Sequence, residues 1–267
     1  MAKIYALSDI HGHYTELMQT LKRVDLKSKE NKLVFLGDYV DNGRKSFQVL
    51  NEVMLLEKKY PTQIITLLGN HDEWFYNWLF NKEPQFNFND FFETINSFIG
   101  TKSYSKLVAT VMKESDAFEL DNLIRQKILQ SPTNRPLLNW FTQKYQVKRY
   151  YITANQIFVH AGIDENAGDY WESITASETF TNKYPPTTGK FLKTIISGHV
   201  YSDEVAQNAN YLGKIFWDRE SHFFIDGHTD QSHVIPLLKY DTQENIYSSY
   251  KLISDHTWQE YIIDPKS

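Results

Sequence analysis

Five short apolar runs limit what this chain can fold into more than any other feature: KIYAL at 3–7, KLVFL at 32–36, QIITLL at 63–68, QIFV at 156–159 and KTII at 193–196. Each is rich in Ile, Val, Leu or aromatic residues and too short for an ordinary helix. None alternates cleanly between apolar and polar, so each reads as a strand buried on both faces. Segments of helical period separate the first three. Leu17, Leu21 and Val24 share one face, and Phe47, Leu50, Val53, Met54 and Glu57 recur at steps of three and four, with Ser46 as the expected N-cap. Strand–helix–strand alternation predicts an α/β fold with a largely parallel core.

The stretch 72–150 is different. It is aromatic-rich and poor in strand signals, and it carries helical patterns near 72–80, 89–99, 104–115, 117–130 and 137–146. It reads as a helical insert over one face of the sheet. Beyond residue 200 short strands dominate, and IFWDRESHFFIDG reads as a hairpin turning near Asp218 to Glu220. No internal repeat is visible, and YPPTTGK at 184–190 reads as a loop, so one domain is expected over 1–267.

The residues that follow these strands carry the chemistry. The first run leads into SDIHG (Asp9, His11), the second into GDYVDNG (Asp38, Asp41), the third into GNHD (Asn70, His71), the fourth into HAG (His160) and the fifth into SGHV (His199). In open α/β sheets ligands gather beyond the carboxyl ends of the strands. One such ending would be a cap or a satisfied turn. Five together place carboxylates and imidazoles where only something cationic would hold them. The chain has no cysteine, which excludes disulfides, thiolate nucleophiles and Cys-zinc sites. Imidazole, carboxylate and amide oxygen suit manganese, iron or zinc. Six ligands are enough for two ions about 3.5–4 Å apart that share a carboxylate. A net charge of −5 gives no reason to expect nucleic acid or an anionic membrane as partner. The opening MAKIYALSDI lacks the apolar core of a signal peptide, so a cytoplasmic location is expected.

SDIHG, GDYVDNG and GNHD, in that order, resemble the three-part signature of the calcineurin-like metallophosphoesterases. HAG and GH complete the set, and the isolated GH with Tyr201 two places on resembles the phosphoprotein phosphatase branch. The resemblance implies two mixed sheets packed as a sandwich flanked by helices. It implies two divalent metal ions, manganese foremost, with iron or zinc as alternatives. Asp9, His11 and Asp38 would bind one ion and Asp38, Asn70, His160 and His199 the other, with Asp38 as bridge. A metal-bridging hydroxide would attack phosphorus, and His71, paired with Asp41, would protonate the leaving group.

The pattern departs from the branch at Asn42, where an arginine that clamps phosphate is usual, and no arginine lies between His160 and His199. Arg44, two residues on, is the candidate replacement, with a solvated loop residue as the alternative. The leading expectation is a bacterial-type serine/threonine protein phosphatase acting on a phosphorylated protein. A nucleotide substrate is the alternative, because GNHD and LLNWF resemble the symmetric diadenosine tetraphosphate hydrolases. A non-catalytic metal-binding scaffold is a third reading. Asp72 is expected to complement a helix dipole and His13 to be solvated. His222, His228, His233 and His256 are expected at surface or structural positions.

Overall fold

The computed structural model describes residues 2–111, 117–254 and 257–263. His256 and the last part of the helix expected at 104–115 therefore lie outside the described residues. The strands are β1 (Lys3–Leu7), β2 (Lys32–Phe35), β3 (Ile64–Thr66), β4 (Tyr150–Ile152), β5 (Gln156–Val159), β6 (Thr194–Tyr201), β7 (Phe216–Trp217), β8 (His222–Asp226), β9 (Leu238–Asp241), β10 (Ile246–Ser254) and β11 (Thr257–Ile263). They form a six-stranded sheet in the order β11-β10-β9-β1-β2-β3 and a five-stranded sheet in the order β4-β5-β6-β8-β7. Both are mixed. β1, β2 and β3 run parallel while β9 to β11 are antiparallel. β5, β6 and β8 run parallel between antiparallel edges β4 and β7. The expected hairpin is β7–β8.

The lack of alternation in the apolar runs has a direct cause. Successive strand residues point to opposite faces, and both faces of each sheet are covered. Ile4, Ala6, Val34 and Leu36 face inward and meet Phe158, Ile196, Phe223 and Ile225 of the other sheet. Their neighbours Tyr5, Leu7, Leu33 and Phe35 face outward, into a core shared with the helices. Ile157, Val159 and Ile195 do the same on the second sheet, against Trp171 and Phe180.

Helices α1 (Tyr14–Leu21), α2 (Ser46–Lys59) and α3 (Asn70–Tyr76) follow the first three strands, and α3 continues as a π-turn over Asn77–Asn81. The insert adds α4 (Phe92–Ile99), α5 (Thr101–Val111), α6 (Ala117–Leu129) and α7 (Arg135–Tyr145). Its aromatic content is core: Phe75 lies 5.5 Å from both Phe91 and Phe98 and 5.7 Å from Trp78. Ser46 is not a cap. It is the first residue of α2, Lys45 precedes it without a side-chain cap, and its buried hydroxyl meets Thr94 Oγ1 at 3.1 Å.

Candidate metal centre and active site

The loops after β1 and β2 are joined by main-chain hydrogen bonds. Ile10 N and His11 N both donate to Asp38 O, at 2.8 and 2.9 Å, and Gly12 N donates to Tyr39 O at 2.9 Å. This fixes Asp9, His11 and Asp38 side by side. Asp72, on the first turn of α3, is fully buried. Its carboxylate accepts from Asp38 N at 2.7 Å, Tyr39 N at 2.9 Å and Gly69 N at 3.0 Å. It ties the loop after β2 to the loop after β3 and is more than a dipole partner.

Asp38 stands at the centre. Its Oδ2 lies 3.5 Å from His11 Nε2 and 3.5 Å from His160 Nε2, and its Oδ1 accepts from His71 N at 3.0 Å. Asn70 Oδ1 is 3.0 Å from both His160 Nε2 and His199 Nδ1. The Asp9 carboxylate accepts from His199 N at 3.1 Å. Asp9, Asp38 and His160 each offer a ligand atom within 4.8 Å of the others, and so do His11, Asp38 and His71. Asp38 is common to both groups. All six residues expected at strand ends therefore converge, drawn from both sheets.

Two glycines make room. A Cβ on Gly69 would overlap Asp38 Oδ1 and sit 2.6 Å from His160 Cε1, and a Cβ on Gly198 would overlap Asp9 Oδ2. The glycines of GNH and GH are the space into which the carboxylates fit.

His71 is placed differently. Its Nδ1 is 2.9 Å from Asp41 Oδ2. Asp41 is itself held by the insert: Thr94 Oγ1 donates to Asp41 Oδ1 at 2.8 Å and accepts from Asp41 N at 2.9 Å. Asn42 lines a recess beside His71. Arg44 is exposed and makes no ion pair or side-chain hydrogen bond among the described residues.

A family model described as calcineurin-like phosphoesterase matches residues 2–203. The chain belongs to the calcineurin-like phosphoesterases. Solved structures are similar over almost its whole length. The cold-active protein-tyrosine phosphatase of a psychrophilic Shewanella species aligns at 15% identity, covering 97% of this chain and 80% of that one, with a TM-score of 0.54. A candidate diadenosine tetraphosphatase aligns at 17% identity, covering 97% and 93%, with a TM-score of 0.49. A protein serine/threonine phosphatase from Saccharomyces cerevisiae aligns at 13% identity, covering 98% and 79%, with a TM-score of 0.49. At such identities the likeness is one of fold.

The residues of this calcineurin-like phosphoesterase fit divalent cations. The Val40 carbonyl, 2.9 Å from His11 Nδ1, requires the proton on Nδ1. The Nε2 lone pair then faces a carboxylate oxygen, an arrangement that calls for a cation between them. Spacings of about 3 Å are those of ligand atoms set ~2.0–2.2 Å from a common ion. Burial pushes Asp9 up to about 6, and burial followed by the Asp9 and Asp72 charges pushes Asp38 well above the carboxylate range. Burial, then repulsion from His71, lowers His11 to about 3 and His199 to about 4, while burial and then His199 put His160 well below its ordinary value. Bound cations would restore charge to the carboxylates and keep the imidazoles neutral, the form in which they ligate.

Asp226 was not anticipated. It ends β8, is buried, accepts from His228 N at 2.8 Å and carries a carboxyl pushed well up by burial and the adjacent Asp9 charge. The signal existed, since FFIDG is a sixth strand with a polar ending. His13 is partly exposed and has a partner: its Nε2 meets Asp230 Oδ1 at 2.7 Å. His222 is buried, with Nδ1 3.0 Å from Asp218, and His228 stacks on Tyr201 at 3.6 Å, while His233 is exposed.

Proposed function

We propose that this chain is a dinuclear metal-dependent hydrolase of phosphate monoesters on protein side chains. Asp9, His11 and Asp38 would hold one ion, and Asp38, Asn70, His160 and His199 the second, with manganese the first choice. Asp38 Oδ2, 3.5 Å from an imidazole nitrogen on each side, is the observation that carries this reading. The ions would supply Lewis acidity, placing positive charge against phosphate oxygens and activating water.

His71 then serves as general acid. Its Nδ1 is committed to Asp41, a carboxylate that orients the ring. That leaves Nε2 to donate to the ester oxygen as the P–O bond breaks. His71 also lies close enough to His11 and Asp38 to be considered a ligand. Asn70 is preferred in that role because its Oδ1 already meets two ligand imidazoles.

The leaving group separates the two roles of His71. General acid catalysis is worth about 10²–10⁴-fold. His71→Asn should therefore lower kcat sharply on phosphoserine peptides and far less on p-nitrophenyl phosphate, whose anion leaves unaided, with metal content unchanged. Equal losses on both substrates, together with lost metal, would make His71 a ligand.

A further inference from the structure

His71 stands between two environments. On one side its ring meets His11 edge-on at 4.9 Å, against the carboxylate cluster. On the other it lies 4.7 Å from the Trp74 ring, which in turn is 6.1 Å from Phe86. Beyond it a recess of about 500 Å³ opens, walled by Asn42, Trp74, Phe86, Phe92, Asp90 and Glu93. Phe92 is exposed. Among the described residues no lysine or arginine lines the recess, whereas Asp90 and Glu93 do, beside Asp41, whose carboxylate is paired with His71.

If His71 protonates the leaving oxygen, as proposed above, the group that carries this oxygen must extend away from the cluster, on the Trp74 side. Flat apolar walls accept an aromatic ring by stacking or edge contact. Asp90 and Glu93, with no lysine or arginine of the described residues beside them in the recess, disfavour a leaving group that bears further phosphates and favour a neutral or basic one. We propose that this recess is the leaving-group subsite and that it selects phosphate monoesters of aromatic hydroxyls on a neutral or basic peptide. In the reaction the oxygen of water bonds to phosphorus and the P–O(aryl) bond breaks. The electron pair stays on the phenolic oxygen, which takes its proton from His71, and the proton released by water returns the imidazole to its starting state. Nucleoside polyphosphates would be poor substrates, because their leaving groups carry negative charge into an acidic recess.

The test compares phosphotyrosine and phosphoserine peptides of one sequence, with lysine or glutamate beside the phosphorylated residue, and diadenosine tetraphosphate. Phosphotyrosine should be preferred, and Phe86→Ala and Phe92→Ala should each reduce that preference through KM, by roughly threefold to tenfold, the weight of one aromatic contact. Asp90→Asn with Glu93→Gln should erase the preference for neighbouring lysine. A second measurement needs no turnover: binding of tyramine, a phenol with an ammonium group, followed by its ring proton signals. It should weaken in Phe86→Ala. Turnover of both peptides with a ratio insensitive to Phe86 and Phe92 would overturn the subsite and leave the proposed hydrolysis intact. Efficient hydrolysis of diadenosine tetraphosphate, a phosphoanhydride, would overturn the subsite and count against a protein substrate as well. Tyramine binding lost in Phe86→Ala, without turnover of any ester, would support the subsite and defeat the function. Absence of tyramine binding would overturn the subsite.

Discussion

Asp9, His11, Asp38, Asp41, Asn42 and His199 all have positive φ, between 44° and 70°. Left-handed backbone at a residue other than glycine costs on the order of 1–3 kcal/mol where it is strained, less for Asp and Asn, and it persists only where neighbours hold it. Main-chain bonds between the β1 and β2 loops hold the first five, and His199 N is held by the Asp9 carboxylate, so the turns aim Asp9, His11, Asp38 and His199 at one point. If the proposed dinuclear centre holds, Asp38→Asn should reduce both of its metal sites at once, seen as metal content falling well below two equivalents by elemental analysis. Retention of two equivalents would remove Asp38 as the bridge. Gly198→Ala should act through Asp9, displacing its carboxylate and costing roughly 10–100-fold in metal affinity or activity, the usual weight of a group that orients a ligand.

At the scale of elements, α3 and α4 do more than cover the sheet. The first turn of α3 presents Asn70, His71 and Asp72 to three different partners, and α4 supplies Thr94 to Asp41. Asp72 distinguishes a helix-end acid from a brace. A dipole partner is worth about 0.3–1 kcal/mol. A buried carboxylate that accepts three main-chain N–H groups leaves unsatisfied donors when altered, so Asp72→Asn should destabilise by roughly 2–4 kcal/mol. Chemical denaturation in the presence of chelator measures this without interference from metal. A loss under 1 kcal/mol would return Asp72 to the helix dipole.

Across the whole molecule, a second buried charge cluster joins the far side of the five-stranded sheet to the loops after β5. Burial opposes the charge on both Glu165 and His222. The His222 and Lys183 partners nevertheless hold Glu165 down at about 2, and Asp218 and Glu165 raise His222 above its ordinary 6.5. A depressed Glu165 contributes stability that is complete above its ordinary 4.5 and lost as pH falls through 2. A raised His222 contributes stability that is complete below 6.5 and lost as pH rises through its folded value. The cluster is therefore strongest between those limits. His222→Gln should lower Tm most near pH 5.5 and least near pH 9, and an equal loss at both would show that packing alone is involved. Among the described residues no helix is long and apolar enough to cross a membrane.

The β-strand runs and their polar endings were legible because both are local. Strands buried on two faces have to be continuously apolar, and a ligand after a strand end sits next to that strand in sequence. The α/β class, the hairpin and the residues of the cluster followed from this. The roles of Asp72, Thr94, Asp226 and Trp74 did not. Asp72 reaches back 34 residues to Asp38, and Thr94 reaches 53 to Asp41. Each looks in sequence like an ordinary helix residue, as Ser46 looked like a cap. Only packing of the insert against the loop after β2, and of one sheet on the other, brings them to the cluster. Sequence alone determined which side chains stand at the ends of the strands. The tertiary structure decided which of them meet and what walls the space beside His71, because those contacts join segments whose spacing along the chain carries no periodic signal.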